Sequence, residues 1–231
     1  MTACANEMGG GPVARPRVTG GSGIHAATGF VALLALLLPL RDSLCFNPSA
    51  VVAGQWWRVV THPFVHVSWY HLLLDGAAFL LLYHGLERHR LRYVAATGAG
   101  SLLASLWFWP AIGTTGLCGL SGIAHGLMAV MALELIHRGD RLGWSCLALV
   151  AGKAIWEGAT GHVVFEGLHS GLIGTPVAVC HFGGVIGGAI AFAMLRGMYP
   201  ARSRTVADAG TVNENGAARW CGPAGTNGRA G

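Results

Sequence analysis

This chain has little charge and almost no lysine. Charged residues make up 11% of its 231 positions, and Lys153 is the single lysine among 15 basic residues. A soluble domain carries about 25% charged residues, so the scarcity excludes an ordinary water-facing surface over most of the molecule. The six cysteines (Cys4, Cys45, Cys118, Cys146, Cys180 and Cys221) include no CxxC pair, which argues against a zinc knuckle or a disulfide framework. There is no basic helix or aromatic-basic strand, so nucleic acid is not expected as a partner. An HExxH motif is missing too, and a metal held by His62, His66 and His71 would have no carboxylate-rich partner. No metal and no cofactor are expected.

What is present is apolar sequence. Hydrophobic residues reach 53% and the mean hydropathy is +0.52. A helix needs about 20 residues to cross the hydrocarbon core, and the candidate spans are 26–46, 69–86, 91–112, 118–136, 142–158 and 175–198. This spacing predicts an all-α, polytopic membrane protein with a six-helix transmembrane bundle over residues 26–198. The flanks, 1–25 and 199–231, are rich in small and polar residues and are expected to be disordered. The run 30–40, behind Arg15 and Arg17, could pass for a signal-peptide core. Arg41 and Asp42 follow it instead of a small-residue cleavage site, so it reads as a retained first span.

Charge sorts the connections. Glu87, Arg88, Arg90 and Arg92 lie between the second and third spans, and Arg138, Asp140 and Arg141 between the fourth and fifth. Arg202 and Arg204 follow the sixth. The connection around 113–117 has no charge, and the one before the sixth span holds Glu166 but no lysine or arginine. Cytoplasmic loops collect Lys and Arg, so both termini are assigned to the cytoplasm and the uncharged connections to the outside. The long first connection, 47–68, falls outside with them despite Arg58. Trp56, Trp57, Trp69, Trp107 and Trp109 sit near span ends, as interfacial anchors do.

Spans two, four and six then run in the same direction, so their first turns share one depth. Ser121 stands about three residues into the fourth span and His181 about six into the sixth, which is roughly 5–9 Å from each helix start. His71 and Asp75 enter at the same end of the second. Ionisable groups inside a bilayer are costly and face the bundle interior or a water-filled cavity. Three helices therefore carry polar groups to one layer.

Within that layer Gly119-Leu120-Ser121-Gly122 offers a hydroxyl nucleophile with backbone N–H groups at a helix start. The plainer reading is a packing seam of Gly119, Gly122 and Gly126. His181 is followed on one helical face by Gly184 and Gly188, a stripe that lets the sixth span lie against this seam. That approach brings imidazole to hydroxyl; a buried histidine bonded to a carbonyl is the plainer alternative. His66, His71 and Asp75 form H-x4-H-x3-D, with His71 and Asp75 one turn apart. They suit an oxyanion site, or a simple helix-start pair. Lys153 and Glu157, four residues apart, read as a salt bridge, and no third carboxylate is expected behind His181. The glycine-rich stretch 158–174 reads as a cap over the site or simply a loop.

At these residues the chain resembles the rhomboid intramembrane serine proteases. The resemblance runs from about Trp56 to Leu195. It rests on Trp57-Arg58, His66 and His71, Gly85-Leu86-Glu87, Gly119-Leu120-Ser121-Gly122 and His181-Phe182-Gly183-Gly184 in that order. It implies a serine–histidine dyad, with Ser121 as nucleophile and His181 as general base. It also implies oxyanion contacts from His71, Asp75 and the Ser121 N–H, and substrate contacts at Gly119 and Gly122. The lipid bilayer and membrane-anchored protein substrates are the implied partners, and no cofactor is needed.

Phe64-Val65-His66-Val67-Ser68-Trp69 and Gly119-Leu120-Ser121-Gly122-Ile123-Ala124-His125-Gly126 look most like the rhombosortase subfamily. That likeness implies a multi-pass protein of a bacterial inner membrane whose site opens to the periplasmic side. It also implies exported substrates with a C-terminal sorting tail: a Gly-Gly motif, a membrane helix and a basic cluster. One departure stands out, because rhomboids usually carry Asn where this chain has Asp75. An ionised carboxylate repels an oxyanion, whereas a protonated one donates to it. The rival expectation is therefore a catalytically inactive rhomboid relative that binds membrane helices.

Overall fold

The computed structural model describes residues 21–86, 89–108, 116–162, 164 and 178–198. Six helices of 16 residues or more run through them: α1 (Gly21–Leu36), α2 (Trp69–Gly85), α3 (Arg90–Trp107), α4 (Ser121–His137), α5 (Leu142–Thr160) and α6 (Ala178–Met198). There is no sheet among the described residues; one isolated antiparallel bridge pairs Phe46 with Leu117. The all-α expectation holds for this part of the chain. Two units divide the chain: Met1–Phe192, which contains every residue of the site below, and Ala193–Gly231, described as helix over 193–198.

The first span differs from its expected form. Instead of one helix over 26–46, α1 begins at Gly21 and stops at Leu36, followed by the short turns Leu38–Leu40 and Arg41–Leu44 at a 47° bend. Pro39 lies at that break; its missing N–H and its ring interrupt a helical ladder. α3 ends at Trp107; the rest of the expected third span, 109–112, lies outside the described residues, as do 113–115, 1–20, 199–231 and most of 158–174.

By length and composition, the stretch Ala178–Arg196 of α6 is apolar enough to cross a membrane, with mean hydropathy 1.9. Two bent pairs also pass when each is taken as one span: His25–Leu36 with Leu38–Leu44, and Arg58–Phe64 with Trp69–Gly85. The Ser121–His137 helix is apolar but shorter.

α4 is the hub of the first unit, packed against α2, α3 and α5. Its meeting with α6 is glycine against glycine. A Cβ at Gly126 would lie 2.5 Å from the Gly184 carbonyl oxygen, and one at Gly188 would lie 2.5 Å from that of Gly126. A Cβ at Gly184 would run into the Gly122 carbonyl. Small residues let membrane helices approach at backbone distance, and the stripe expected from Gly184 and Gly188 does so here.

The connection between α1 and α2 braces the turn that leads into α4. Arg58 donates to the Asp42 and Cys45 carbonyls, each at 2.8 Å, and Thr61 donates to that of Leu44 at 2.8 Å. Phe46 and Leu117 exchange both backbone hydrogen bonds at 2.9 Å, and the Gly119 N–H donates to the His62 carbonyl at 3.0 Å. Phe46, Val51, Leu117 and Cys180 bury their side chains together beneath this strap.

Candidate active site

Ser121 is the first residue of α4, directly after a turn that only glycine accommodates. Gly119 has φ +104°, and a Cβ there would lie 2.6 Å from Asp75 Oδ2 and 3.0 Å from His71 Nε2. Positive φ is costly for residues with a side chain, so conformation and space both demand glycine. His181 sits in the first turn of α6, 6% exposed, at a spacing the glycine seam sets. Ser121 Oγ donates to His181 Nε2 at 2.9 Å. The two residues singled out on separate helices meet at the reach a general base requires.

The opposite ring nitrogen meets a group the sequence reading left out of the site. His181 Nδ1 donates to Glu157 Oε2 at 2.8 Å, which in the neutral ring leaves Nε2 unprotonated and able to accept from Ser121. The expectation that no third carboxylate stands behind His181 is thus overturned. The expected Lys153–Glu157 salt bridge does form, at 2.6 Å, but it uses only the other oxygen of the carboxylate. Lys153 Nζ also donates to His125 Nε2 at 3.1 Å, and His125 Nδ1 donates to the Ser121 carbonyl at 2.7 Å. The His125 and His181 rings stack, with centroids 4.0 Å apart and planes within 7°. A closed ring of hydrogen bonds therefore runs from the Ser121 hydroxyl through His181, Glu157, Lys153 and His125 to the Ser121 carbonyl. Each imidazole has a single tautomer compatible with it.

On the other side of the Ser121 turn lie His66, His71 and Asp75, all buried. Ser68 caps α2 by accepting from the His71 N–H at 3.0 Å. His71 Nδ1 accepts from the Val67 N–H at 3.4 Å, so a neutral ring carries its proton on Nε2. That nitrogen lies 3.2 Å from Asp75 Oδ2, and His66 Nε2 lies 3.4 Å from the same oxygen. Both are ion-pair distances outside hydrogen-bond geometry. This trio backs onto Gly119, two residues before the nucleophile. Gly122 is buried in the seam, between Ser101 and the Cys180 carbonyl.

The Rhomboid domain family matches residues 53–197, more than half of the chain. The chain belongs to the rhomboid family. No curated protein sequence matches it closely enough to set beside that result. With the family shown, the Ser121–His181 hydrogen bond is the serine–histidine pair of a rhomboid-type intramembrane serine protease. Membership also places this rhomboid in a lipid bilayer, with membrane proteins as its general class of substrate.

His125, Glu157 and His181 of the rhomboid offer ligand atoms that all lie within 4.8 Å of one another, close enough to hold a metal ion. The Lys153 ammonium already stands between two of them, and its hydrogen bonds engage His125 Nε2 and Glu157 Oε1. Near-parallel rings also aim their in-plane lone pairs along separate planes rather than at one point. The donor set suits proton handling better than metal binding.

Glu157 and His125 are the residues that sequence reasoning missed. A signal was available for Glu157, since an acidic group inside an apolar helix is a functional candidate by default. Lys153 offered an easy local partner and hid it. His125 lies in the quoted motif, one turn after Ser121, where its role depends on what α5 and α6 present to it.

Proposed function

We propose that this rhomboid hydrolyses a peptide bond in or near a transmembrane helix of an exported, membrane-anchored protein, at a C-terminal Gly-Gly sorting tail. The observation that carries the chemistry is the 2.9 Å hydrogen bond from Ser121 Oγ to His181 Nε2. His181 takes the hydroxyl proton as Oγ attacks the scissile carbonyl, then gives it to the leaving amine. Water, activated by the same nitrogen, hydrolyses the acyl-enzyme ester. Glu157 holds His181 in the tautomer this needs and balances the imidazolium that forms. The Ser121 N–H and His71 Nε2–H stabilise the oxyanion, and Asp75 joins them only in its protonated form, while the backbone at Gly119 and Gly122 lies along the substrate.

The sorting-tail substrate rests on the likeness of 64–69 and 119–126 to rhombosortase. The charged connections support six spans with both termini cytoplasmic and the site opening to the outer side; the same likeness to rhombosortase supports a bacterial inner membrane, with that side the periplasm. The test is cleavage of a reporter bearing a Gly-Gly motif, a membrane helix and a basic cluster. Wild type should cut it, and Ser121→Ala and His181→Ala should not. Equal cleavage by wild type and Ser121→Ala sinks the proposal.

Asp75 supports a second reading, a silent rhomboid that binds membrane helices without cutting them. Labelling of Ser121 by a fluorophosphonate separates the two, since only an activated hydroxyl reacts.

A further inference from the structure

Two reactive side chains near the nucleophile take no part in the chemistry above. Phe46 and Leu117 form an antiparallel bridge and exchange both of its hydrogen bonds. Their neighbours in register, Cys45 and Cys118, therefore oppose each other at the adjacent non-hydrogen-bonded position. Cα atoms at such a position stand about 4.5 Å apart, inside the roughly 4.4–6.8 Å window of disulfides. The Cys45 backbone is extended, with φ −61° and ψ 138°. The two thiols are near enough to perturb each other directly. Both are unbridged and half-buried, so a small reagent can reach them.

The pair lies where a covalent link would matter. Cys118 is three residues before Ser121, and Cys45 belongs to the strap that Arg58 and Thr61 hold in place. Cys180, adjacent to His181, packs in the cluster beneath.

We propose that Cys45 and Cys118 form a reversible disulfide that clasps the α1–α2 connection to the turn carrying Ser121. The oxidant is a disulfide, either a small molecule or a thiol oxidoreductase of the exported compartment. One cysteine thiolate attacks a sulfur of that donor, giving a mixed disulfide and releasing one donor thiol. The second cysteine then attacks its partner's sulfur and releases the other donor thiol. The two thiol protons pass to the donor sulfurs, and the donor gains two electrons. The clasp closes a long loop, and such closure restricts the unfolded chain. The source of the oxidant rests on the periplasmic orientation proposed above; the pairing of the two cysteines does not.

The test uses the full-length protein in detergent, treated with oxidised glutathione, alkylated and cleaved after arginine. The expected product is a linked pair of peptides, 42–58 and 93–138, each holding one cysteine of this pair and no other. Dithiothreitol should remove the link, Cys45→Ser and Cys118→Ser should prevent it, and the oxidised wild type should melt at a higher temperature than the reduced. Alkylation of both peptides after oxidation would overturn the proposal, as would preferential linkage to Cys146 or Cys180. Comparing oxidised with reduced wild type keeps the result independent of variants that fold poorly. The readout needs no proteolysis, so failure of the sorting-tail reading leaves it intact.

Discussion

Glu157 Oε2 lies 2.8 Å from His181 Nδ1, while Ser121 Oγ lies 2.9 Å from the other nitrogen of the same ring. The base of this rhomboid is therefore held from both sides, and the group behind it comes from a helix that carries no other part of the serine–histidine pair. α5 thereby joins α4 and α6 in lining the site.

Glu157→Gln keeps the shape of the side chain and removes its charge. Neutralising the carboxylate that orients the catalytic histidine lowers turnover by about 10⁴-fold in the serine protease triad. The same order is expected here in kcat, with KM unchanged, by steady-state cleavage of the tail reporter. Wild-type kcat in this variant would remove Glu157 from the machinery.

Lys153→Met withdraws the cation from Glu157 and from His125 Nε2. Glu157 has 1% exposure and would keep fewer partners, a situation that costs about 1–3 kcal/mol for a buried polar group. Thermal unfolding in detergent should show that loss, and kcat should fall less than in Glu157→Gln because the contact to His181 survives.

Gly184→Ala pushes a methyl group onto the Gly122 carbonyl, so α4 and α6 must separate. Overpacking typically costs about 1–3 kcal/mol, and the same displacement pulls His181 away from Ser121. Both stability and cleavage should drop. Gly152→Ala, whose added methyl meets nothing within 4 Å, is the control and should leave both near wild type.

Asp75→Asn replaces a carboxyl with an amide that always has an N–H to donate. If Asp75 serves the oxyanion, turnover is preserved or rises. A fall of about 10²-fold, the usual cost of a missing oxyanion donor, would instead assign the carboxylate to holding His66 and His71.

Much of the site was legible in one dimension. Ser121 opens α4 and His181 stands in the first turn of α6, so both lie near helix starts that the apolar pattern marks. Gly122, Gly126, Gly184 and Gly188 announce a close approach because only hydrogen leaves room for two backbones. The break near Pro39 was legible too, since a missing N–H is a property of the residue itself, yet the apolar run through it suggested one continuous span.

Position along a helix is thus written locally, by backbone geometry and the apolar pattern. Rotation about the helix axis is not. Whether Glu157 faces Lys153 alone or also His181 depends on how α5 turns against α4, and side chains from several distant segments settle that together. The same holds for His125, whose ring finds Lys153 on one edge and His181 across its face only once three helices have packed. The sequence by itself determined which polar groups share a level. Tertiary packing decided which of them touch, because hydrogen bonds form over about 3 Å and helix rotation moves a side chain farther than that.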